Sequence, residues 1–346
     1  MSESSESLRE RLDKGAVLVA EGYIFELERR GYVKAGPFVP EVVTRFPEAL
    51  EQLHTEFARA GSDIIVACTY YAHRAKLRAT GKEKLLEEIN ISAVAMAGKV
   101  AKRHGVLAAG DLCNTWEYNI EDPQGSARTI RPMFEEQTRW AVDGGVDLII
   151  GETFSHLGEA MIALDVIKSA GLPSVITFIP LGPLTCDGYP WEDACKMLED
   201  NGADVVGLNC GKGPATMLPI LERIRKRVSG HVAALPVPYR TTEQQPTFHD
   251  LKLPGQTRGF PVALDPFQLT RFEMADFAAR SKAMGINYLG VCCGGAPHHV
   301  RSMAEELNRT VPSSEFSPSM SLHPVLGDKH STRDEYVTCF FGPVEE

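Results

Sequence analysis

A short apolar run ends in two adjacent cysteines and two glycines in the segment Asn287-Tyr-Leu-Gly-Val-Cys-Cys-Gly-Gly295. Residues 288–291 lie between helical patterns and are flanked by glycines, which is typical of a strand buried on both faces. Neighbouring side chains on a strand point to opposite faces, so Cys292 and Cys293 reach a common site only where the strand ends and the backbone turns. The glycines that follow supply the freedom for that turn.

A second apolar run has the same design in Ala203-Asp-Val-Val-Gly-Leu-Asn-Cys210, which also leads into glycines. Adjacent cysteines do not form the usual disulfide, and two thiolates do not complete a zinc site. Cys210, Cys292 and Cys293 therefore predict a three-thiolate zinc site with an open fourth position, the arrangement of catalytic zinc. The alternative is three small buried side chains, which is the better interpretation for any one cysteine taken alone.

Composition limits the class of protein. The chain has 346 residues, of which 43% are hydrophobic and 24% are charged, as in ordinary globular proteins with a large core. Its net charge of −10 and its lack of a basic run argue against a nucleic-acid partner. Residues 1–10 lack the features of a signal peptide, and no apolar run approaches the length of a membrane span. Eight cysteines without a small-scaffold spacing indicate free thiols and metal ligands, so we expect a cytoplasmic protein.

Strand-length apolar runs alternate with helical patterns along the chain. The predicted strands are 16–20, 63–68, 106–110, 147–151, 174–178, 203–210, 232–235 and 288–291. The predicted helices are 40–60, 82–104, 131–144, 158–170, 191–202, 214–228, 271–284 and 296–308. Eight such units favour a (β/α)8 TIM barrel over a doubly wound sheet, because a barrel brings all of its carboxyl strand ends to one face.

The domain prediction follows from this alternation. We expect a flexible N-terminus over residues 1–12, the barrel over 13–310 and a C-terminal extension over 311–346, which is rich in Ser and Pro. The long polar connection 241–266 is predicted to be either a functional loop or a mobile one.

Carboxylates and aromatic rings follow several predicted strands. Glu21 and Glu152 lie beside apolar sequence, where a ligand ammonium or an internal salt bridge would have to compensate them. Several rings together suggest a cage for a cationic methyl group, although a single ring more often caps the barrel core. These rings are Tyr23, Phe38, Tyr70, Tyr71, Trp116, Tyr118, Phe154 and Trp191. The pair His298 and His299 is more typical of solvated surface and stays outside the predicted metal set.

These motifs resemble the zinc-dependent homocysteine S-methyltransferase family. The resemblance rests on Asn209-Cys210, on Gly290-Val-Cys-Cys-Gly294 and on Glu152. The stretch Phe25-Glu-Leu-Glu-Arg-Arg-Gly-Tyr-Val-Lys-Ala-Gly-Pro37 is similar to the betaine-homocysteine S-methyltransferase branch, and similarity extends over about residues 17–307.

The resemblance implies a (β/α)8 barrel in which Cys210, Cys292 and Cys293 bind Zn²⁺ and homocysteine becomes the fourth ligand. It also implies that Glu21, with Gly22 beside it, and Glu152 hold the amino acid part of homocysteine.

The donor site departs from the family pattern. The family has Asp-Gly-Gly after the first strand, where this chain has Glu21-Gly22-Tyr23. The Trp and Tyr of the betaine branch correspond to Phe38 and Thr153, whereas the ring of Tyr71 is kept. We therefore expect a methylated onium donor of altered shape, held by Tyr23, Phe38, Tyr71 and Thr153. Two alternative roles remain for Tyr23: its ring only fills space, or it belongs to the part of the cavity wall that contacts homocysteine.

The expected activity is transfer of a methyl group from a betaine-like quaternary ammonium to the zinc-bound thiolate of homocysteine, which gives methionine. One alternative keeps the acceptor but uses a sulfonium donor such as S-methylmethionine. A more distant alternative is a zinc or thiol sensor, which leaves the strand-end carboxylates and rings unexplained. The expected partners are these small molecules and a second copy in a homo-oligomer, although the chain stops soon after the barrel, without the long arm by which the betaine branch assembles.

Overall fold

The computed structural model describes residues 6–255, 257–328, 335, 338 and 339, and it contains a closed barrel of eight parallel strands. Each strand pairs with the next one along the chain, and the eighth pairs with the first. The strands are β1 Val17–Ala20, β2 Ile64–Val66, β3 Leu107–Cys113, β4 Leu148–Phe154, β5 Ser174–Phe178, β6 Val205–Asn209, β7 His231–Leu235 and β8 Tyr288–Val291. The predicted (β/α)8 barrel is confirmed, and closure excludes the doubly wound sheet, whose edges stay open.

Helices cover the outside of the barrel. They are α1 Leu8–Lys14, α2 Tyr23–Arg29, α3 Val42–Arg45, α4 Pro47–Ala60, α5 Arg74–Ala79, α6 Leu86–His104, α7 Pro123–Asp143, α8 Leu157–Ser169, α9 Trp191–Asp200, α10 Pro214–Arg227, α11 Arg271–Ala283 and α12 Pro297–Glu306. The strands are buried nearly throughout, because side chains face either the barrel interior or these helices. None of the helices within the described part of the chain has the length and apolar character needed to cross a membrane.

Close packing of β8 on β1 depends on one glycine. A Cβ atom at Gly290 would lie 2.2 Å from the carbonyl oxygen of Val19, far inside van der Waals contact. Glycine at this position therefore lets β8 approach β1 and fixes where the following cysteines emerge.

Several predicted boundaries were wrong for local reasons. The predicted helix 40–60 is divided into α3 and α4, because Pro47 opens a new helix at its first position. The predicted helix 131–144 begins eight residues earlier, at Pro123, where the Asp122 side chain accepts a hydrogen bond from the Gly125 amide and caps it. The short helices α2 and α5 were not predicted.

The N-terminus differs from the flexible segment expected over residues 1–12. Residues 8–14 form α1, and Leu8 and Leu12 are buried in the core. The Ser7 hydroxyl and the Glu10 carboxylate form a reciprocal capping box that begins this helix. Residues 1–5 lie outside the described residues.

The C-terminal extension begins against the barrel. Val311 is buried, and 3₁₀ turns follow at Pro312–Phe316 and Met320–Leu322. Most of the predicted extension beyond residue 328 lies outside the described residues, so the domain limit at residue 310 stays a prediction.

Candidate active site

Three thiols meet at the carboxyl end of the barrel. Cys210 follows β6, and Cys292 and Cys293 follow β8. The Sγ atoms of Cys210 and Cys293 are 3.6 Å apart, those of Cys292 and Cys293 are 4.0 Å apart, and all three lie within 4.8 Å of one another. Sulfurs that share a tetrahedral zinc ion are about 3.8 Å apart, as follows from a zinc–sulfur bond of about 2.3 Å. The three thiols therefore fit a single metal ion.

The backbone at Cys210 is held in an unusual conformation. Its φ is +57°, in the left-handed region that side chains other than glycine rarely adopt. The Cys210 amide donates to the carbonyl of Leu235, and its own carbonyl accepts from the Lys212 amide. These bonds maintain the turn that directs the thiol inward, and such strain is typical of functional sites.

The three thiols differ in the direction in which their pKa values shift. Hydrogen bonds from Cys292 and Cys293 lower the pKa of Cys210. Burial raises the pKa of Cys292, and the bond to Cys210 raises that of Cys293. One thiolate is thus already favoured before a metal binds.

Two buried carboxylates lie beside the thiols. Glu21 follows β1 and Glu152 lies within β4, and only 2% and 3% of their surfaces are exposed. Oxygen atoms of both lie within 4.8 Å of the Cys292 Sγ and of one another. Among the described residues neither forms an ion pair, and the Oε1 atom of Glu21 has no hydrogen-bond partner. The predicted alternative of an internal salt bridge is therefore not found in the part of the chain that is described.

Burial raises the pKa of both carboxylates. The pKa of Glu152 rises to about 7, and the pKa of Glu21 is raised by burial and by repulsion from Glu152 and Asp111. Two buried acids in contact favour a shared proton or a bound cation.

An amide links these carboxylates to the thiols. The Nδ2 group of Asn209 donates to Glu152 at 2.6 Å and to Glu21 at 3.1 Å. Asn209 is the last residue of β6 and directly precedes Cys210. The same strand end therefore places a sulfur ligand and orients both carboxylates.

Thr153 belongs to this network. Its hydroxyl donates to the carboxylate of Glu152 at 2.9 Å, and its amide donates to the Asn209 side chain at 3.0 Å. Its φ is +64°, a rare conformation for a β-branched residue, and the pairing of β4 with β5 shifts its register there. Thr153 lines the cavity, where its hydroxyl holds Glu152 and its amide holds Asn209, and its role as a donor residue stays a prediction.

Tyr23 and Phe38 form part of the cavity wall. The ring of Tyr23 packs at 4.8 Å from His54 and 5.5 Å from Phe57, and its hydroxyl accepts from the Val66 amide at 3.3 Å. This packing holds the ring in place, and Tyr23 also lines the cavity, so its role as a donor residue stays a prediction. Phe38 stacks on Phe25 with ring centroids 5.4 Å apart and planes 8° apart.

Tyr71 is partly buried and has a φ of +67°. Its ring contacts Tyr70 and Trp116, and the Lys76 ammonium lies 4.5 Å from its centroid and 4.8 Å from that of Trp116. A lysine of the protein thus already makes a cation–π contact with Tyr71.

Tyr70 also lines the cavity, whereas the predicted rings Trp116, Tyr118, Phe154 and Trp191 do not. Tyr118 packs against His156, whereas Phe154 and Trp191 are buried in the core. The expectation of a solvated surface was wrong for His299, whose Nδ1 accepts from the Ala296 amide inside the fold.

Several lining residues were not predicted. The connection 241–266 crosses the barrel mouth and contributes Phe248, His249 and Phe260 to the cavity. Phe25 and Asp111 also line it. An acidic residue in an apolar strand was a signal for Asp111. The length and polarity of the connection 241–266 allowed a functional loop but did not indicate which of its residues face the cavity.

A closed (β/α)8 barrel with three clustered thiols at its carboxyl end is a catalytic architecture, because active sites of this fold lie at that face. The chain belongs to the homocysteine S-methyltransferase family, whose profile matches residues 21–307. It is therefore a methyltransferase, and the resemblance seen in the sequence is confirmed.

Known relatives agree with this assignment. The chain is 36% identical over 319 residues to betaine–homocysteine S-methyltransferase 1 of Danio rerio, covering 88% of this chain and 76% of the relative. It is 32% identical over 338 residues to S-methylmethionine–homocysteine S-methyltransferase BHMT2 of Mus musculus, covering 95% and 86%. The metallated form of the homocysteine methyltransferase MmuM from Escherichia coli is 19% identical, with a TM-score of 0.67 and coverage of 86% of this chain and 99% of that one. That similarity supports the fold.

Proposed function

We propose that this protein transfers a methyl group from an onium donor to the thiolate of homocysteine, which gives methionine. The observation that carries the proposal is the group of three thiols spaced for one metal ion, with two carboxylates within 4.8 Å of the Cys292 sulfur that form no ion pair with any described residue. Homocysteine presents a sulfur and an ammonium separated by a short carbon chain, so it matches both halves of the site.

The metal that we propose is Zn²⁺, held by Cys210, Cys292 and Cys293. Three thiolates favour zinc over the harder cations, and the open fourth position suits a substrate sulfur. Zinc bound there would keep that sulfur deprotonated at neutral pH.

Glu21 and Glu152 are proposed to accept hydrogen bonds from the homocysteine ammonium, with Asn209 orienting both. Gly22, which lies beside them, is needed because a larger residue would not fit. Its φ is +73°, and a Cβ atom there would lie 2.5 Å from the Cys293 amide nitrogen. Glycine is therefore needed for the chain after β1 to pass the cysteine pair.

Tyr23, Phe38, Tyr71 and Thr153 are the proposed donor residues, since all four line the same cavity. In the transfer, the homocysteine sulfur forms a bond to the methyl carbon. The bond from that carbon to the onium nitrogen or sulfur breaks, and the leaving atom keeps the electron pair. Positioning supplies much of the rate, because the reactants need in-line alignment.

Two donor classes follow from the relatives. A betaine-like quaternary ammonium is the first, and a sulfonium such as S-methylmethionine is the second, as the name of the mouse relative suggests. A screen of both classes for methionine formation by zinc-loaded protein tests the function. X-ray absorption at the zinc edge should show one added sulfur ligand with homocysteine. A zinc or thiol sensor would give no methionine and would not gain that ligand.

We also propose a reducing compartment such as the cytoplasm, because the metal ligands must remain free thiols. The homo-oligomer expected from the sequence stays a prediction that sedimentation velocity would test.

A further inference from the structure

Four phenylalanine rings line the cavity and contact one another across three segments of the chain. Phe25 lies on α2, Phe38 follows that helix, and the connection 241–266 contributes Phe248 and Phe260. The ring centroid of Phe25 is 5.4 Å from that of Phe38, 6.1 Å from that of Phe248 and 6.2 Å from that of Phe260. The two rings of the connection are 5.0 Å apart. These four rings, which we call the phenylalanine cluster, form one continuous aromatic wall.

The phenylalanine cluster lies against the thiols. Phe25 and Phe248 belong to the same group of packed apolar side chains as Cys210 and Cys292. The Phe248 amide donates to the carbonyl of Gly211 at 2.8 Å, and Gly211 directly follows Cys210. The turn that places one of the three thiols therefore also places the ring of Phe248.

The carboxylates occupy a different part of the cavity. Asp111 and Glu152 lie within β3 and β4, and Glu21 directly follows β1, whereas the phenylalanine cluster lies on α2 and on loops beyond the strand ends. The Nδ2 atom of Asn209, which donates to Glu21 and Glu152, also lies 3.9 Å from the Cys292 Sγ. The acidic side chains therefore lie on the barrel side of the thiols, and the rings lie on the side of the mouth.

The two proposed substrates have to divide the cavity between them. Homocysteine bound by its sulfur at the thiols and by its ammonium at the carboxylates keeps its whole amino acid part on the acidic side, because the ammonium and carboxyl groups share one carbon atom. In-line transfer places the onium atom beyond the methyl group, away from the sulfur. The onium head is therefore left with the side of the phenylalanine cluster.

The faces of these rings are open to a ligand cation. No lysine or arginine in the described part of the chain lies over any of the four rings, whereas the Lys76 ammonium lies 4.5 Å from the centroid of Tyr71. Phenylalanine also offers no oxygen or nitrogen, so an onium head with an N–H group would lose hydrogen bonds to water without replacement. A fully alkylated head loses no such bond and is attracted by the ring faces.

We infer that Phe25, Phe248 and Phe260 bind the onium head of the methyl donor together with Phe38, and that this cluster selects a fully alkylated onium. The inference rests on the proposed function and adds three residues to its donor site. Both proposed donor classes, quaternary ammonium and sulfonium, have heads of this kind.

A pair of matched competitors tests the inference on the wild-type protein. Choline and 3,3-dimethylbutan-1-ol have nearly the same shape, but only choline is charged. The inhibition constant of each is measured against the onium that supports methionine formation. We expect choline to bind at least about tenfold more tightly. Because the carboxylates also attract a cation, the change in this ratio on loss of one ring isolates the contribution of the cluster.

Phe260→Leu keeps an apolar side chain and removes one aromatic face. It should raise KM for the onium donor about 2- to 30-fold and reduce the preference for choline by the same factor. The onium charge is lost in the transfer, so kcat should change little, and KM for homocysteine should stay as in the wild type. Phe25→Leu and Phe248→Leu should act in the same direction.

Phe267→Leu is the matched control. Phe267 is half-buried, as Phe260 is, and packs against the same apolar group, but it does not line the cavity. Its substitution should leave donor KM and the preference for choline unchanged.

Equal binding of choline and the neutral alcohol to the wild type would overturn the inference, and this comparison needs no variant to fold. An unchanged preference for choline in Phe260→Leu, or an equal loss in Phe267→Leu, would also overturn it. So would a rise in KM for homocysteine alone, which assigns the rings to the acceptor. All of these outcomes leave methionine formation intact. Methionine from no onium donor would instead overturn the proposed function, and the inference with it.

Discussion

The Nδ2 atom of Asn209 lies 2.6 Å from the Oε2 atom of Glu152, so an amide at the end of β6 orients a carboxylate of β4. The next residue in the chain is Cys210, one of the three clustered thiols. One strand end therefore carries both a thiol of the proposed metal site and the amide that orients the proposed ammonium site.

Asn209→Ala tests the orienting role of this amide. Loss of a hydrogen bond to a charged group should weaken homocysteine binding by about 1.5–3 kcal/mol, or roughly 10- to 150-fold in KM. Steady-state kinetics and zinc content measure the two halves of the site, and zinc should remain bound. Asn119→Ala is the control, because that side chain accepts from the Glu121 amide at the surface. An unchanged KM for homocysteine in Asn209→Ala would contradict the proposed orienting role.

Replacing any one of Cys210, Cys292 and Cys293 by Ala should abolish zinc retention and activity. The barrel should stay folded, because the thiols lie at its rim. Metal analysis after gel filtration and circular dichroism measure both properties. Cys186→Ala is the control, since that exposed thiol does not line the cavity. Stoichiometric zinc in Cys210→Ala would refute the ligand assignment.

Substitutions of Tyr23 and Tyr71 should distinguish the contribution of these rings to packing from their contribution to donor binding. Tyr23→Phe removes one hydrogen bond and should cost about 1 kcal/mol of stability without changing donor KM. Tyr23→Leu also loses the contacts with His54 and Phe57, and we expect about 2–4 kcal/mol of destabilisation together with weaker donor binding.

Tyr71→Leu removes a ring at the cavity and should raise donor KM roughly 2- to 30-fold while leaving homocysteine binding intact. Kinetics with each substrate varied in turn provide the measurement. If Tyr23→Leu weakens only homocysteine binding, the cavity wall at Tyr23 belongs to the acceptor site. If the variant changes only the stability of the protein, Tyr23 fills space.

Stability without substrates should fall as pH rises towards 8. The pKa of Glu152 rises from 4.5 to about 7 on burial, so the folded protein binds more protons than the unfolded chain in that interval. Stability linked to this group is fully present below pH 4.5 and is lost as pH rises through 7, by on the order of 3 kcal/mol.

Thermal melts of metal-free protein between pH 5.5 and 8 should show this slope. Glu152→Gln should flatten the slope. A Tm that rises over the same interval would contradict the expected linkage.

The sequence alone determined the barrel and the group of thiols. Apolar runs such as residues 205–209 and 288–291 identified strands, because parallel strands buried on both faces lack polar alternation. A barrel sends all carboxyl strand ends to one face, so Cys210 and Cys293 could be placed together across 83 positions of sequence. Local pattern and topology were sufficient for these conclusions.

The tertiary structure alone decided what surrounds the thiols. Residue spacing does not show which neighbour a side chain meets, so the turn of Tyr23 towards His54 and the joining of Glu21 to Glu152 by Asn209 were not predictable. Asp111 joined the cavity lining only because β3 brought it there, and Phe248, His249 and Phe260 became part of the site only because their loop packs across its mouth. These relationships depend on contacts between distant segments, which form when the closed core excludes water and fixes each side chain in one orientation.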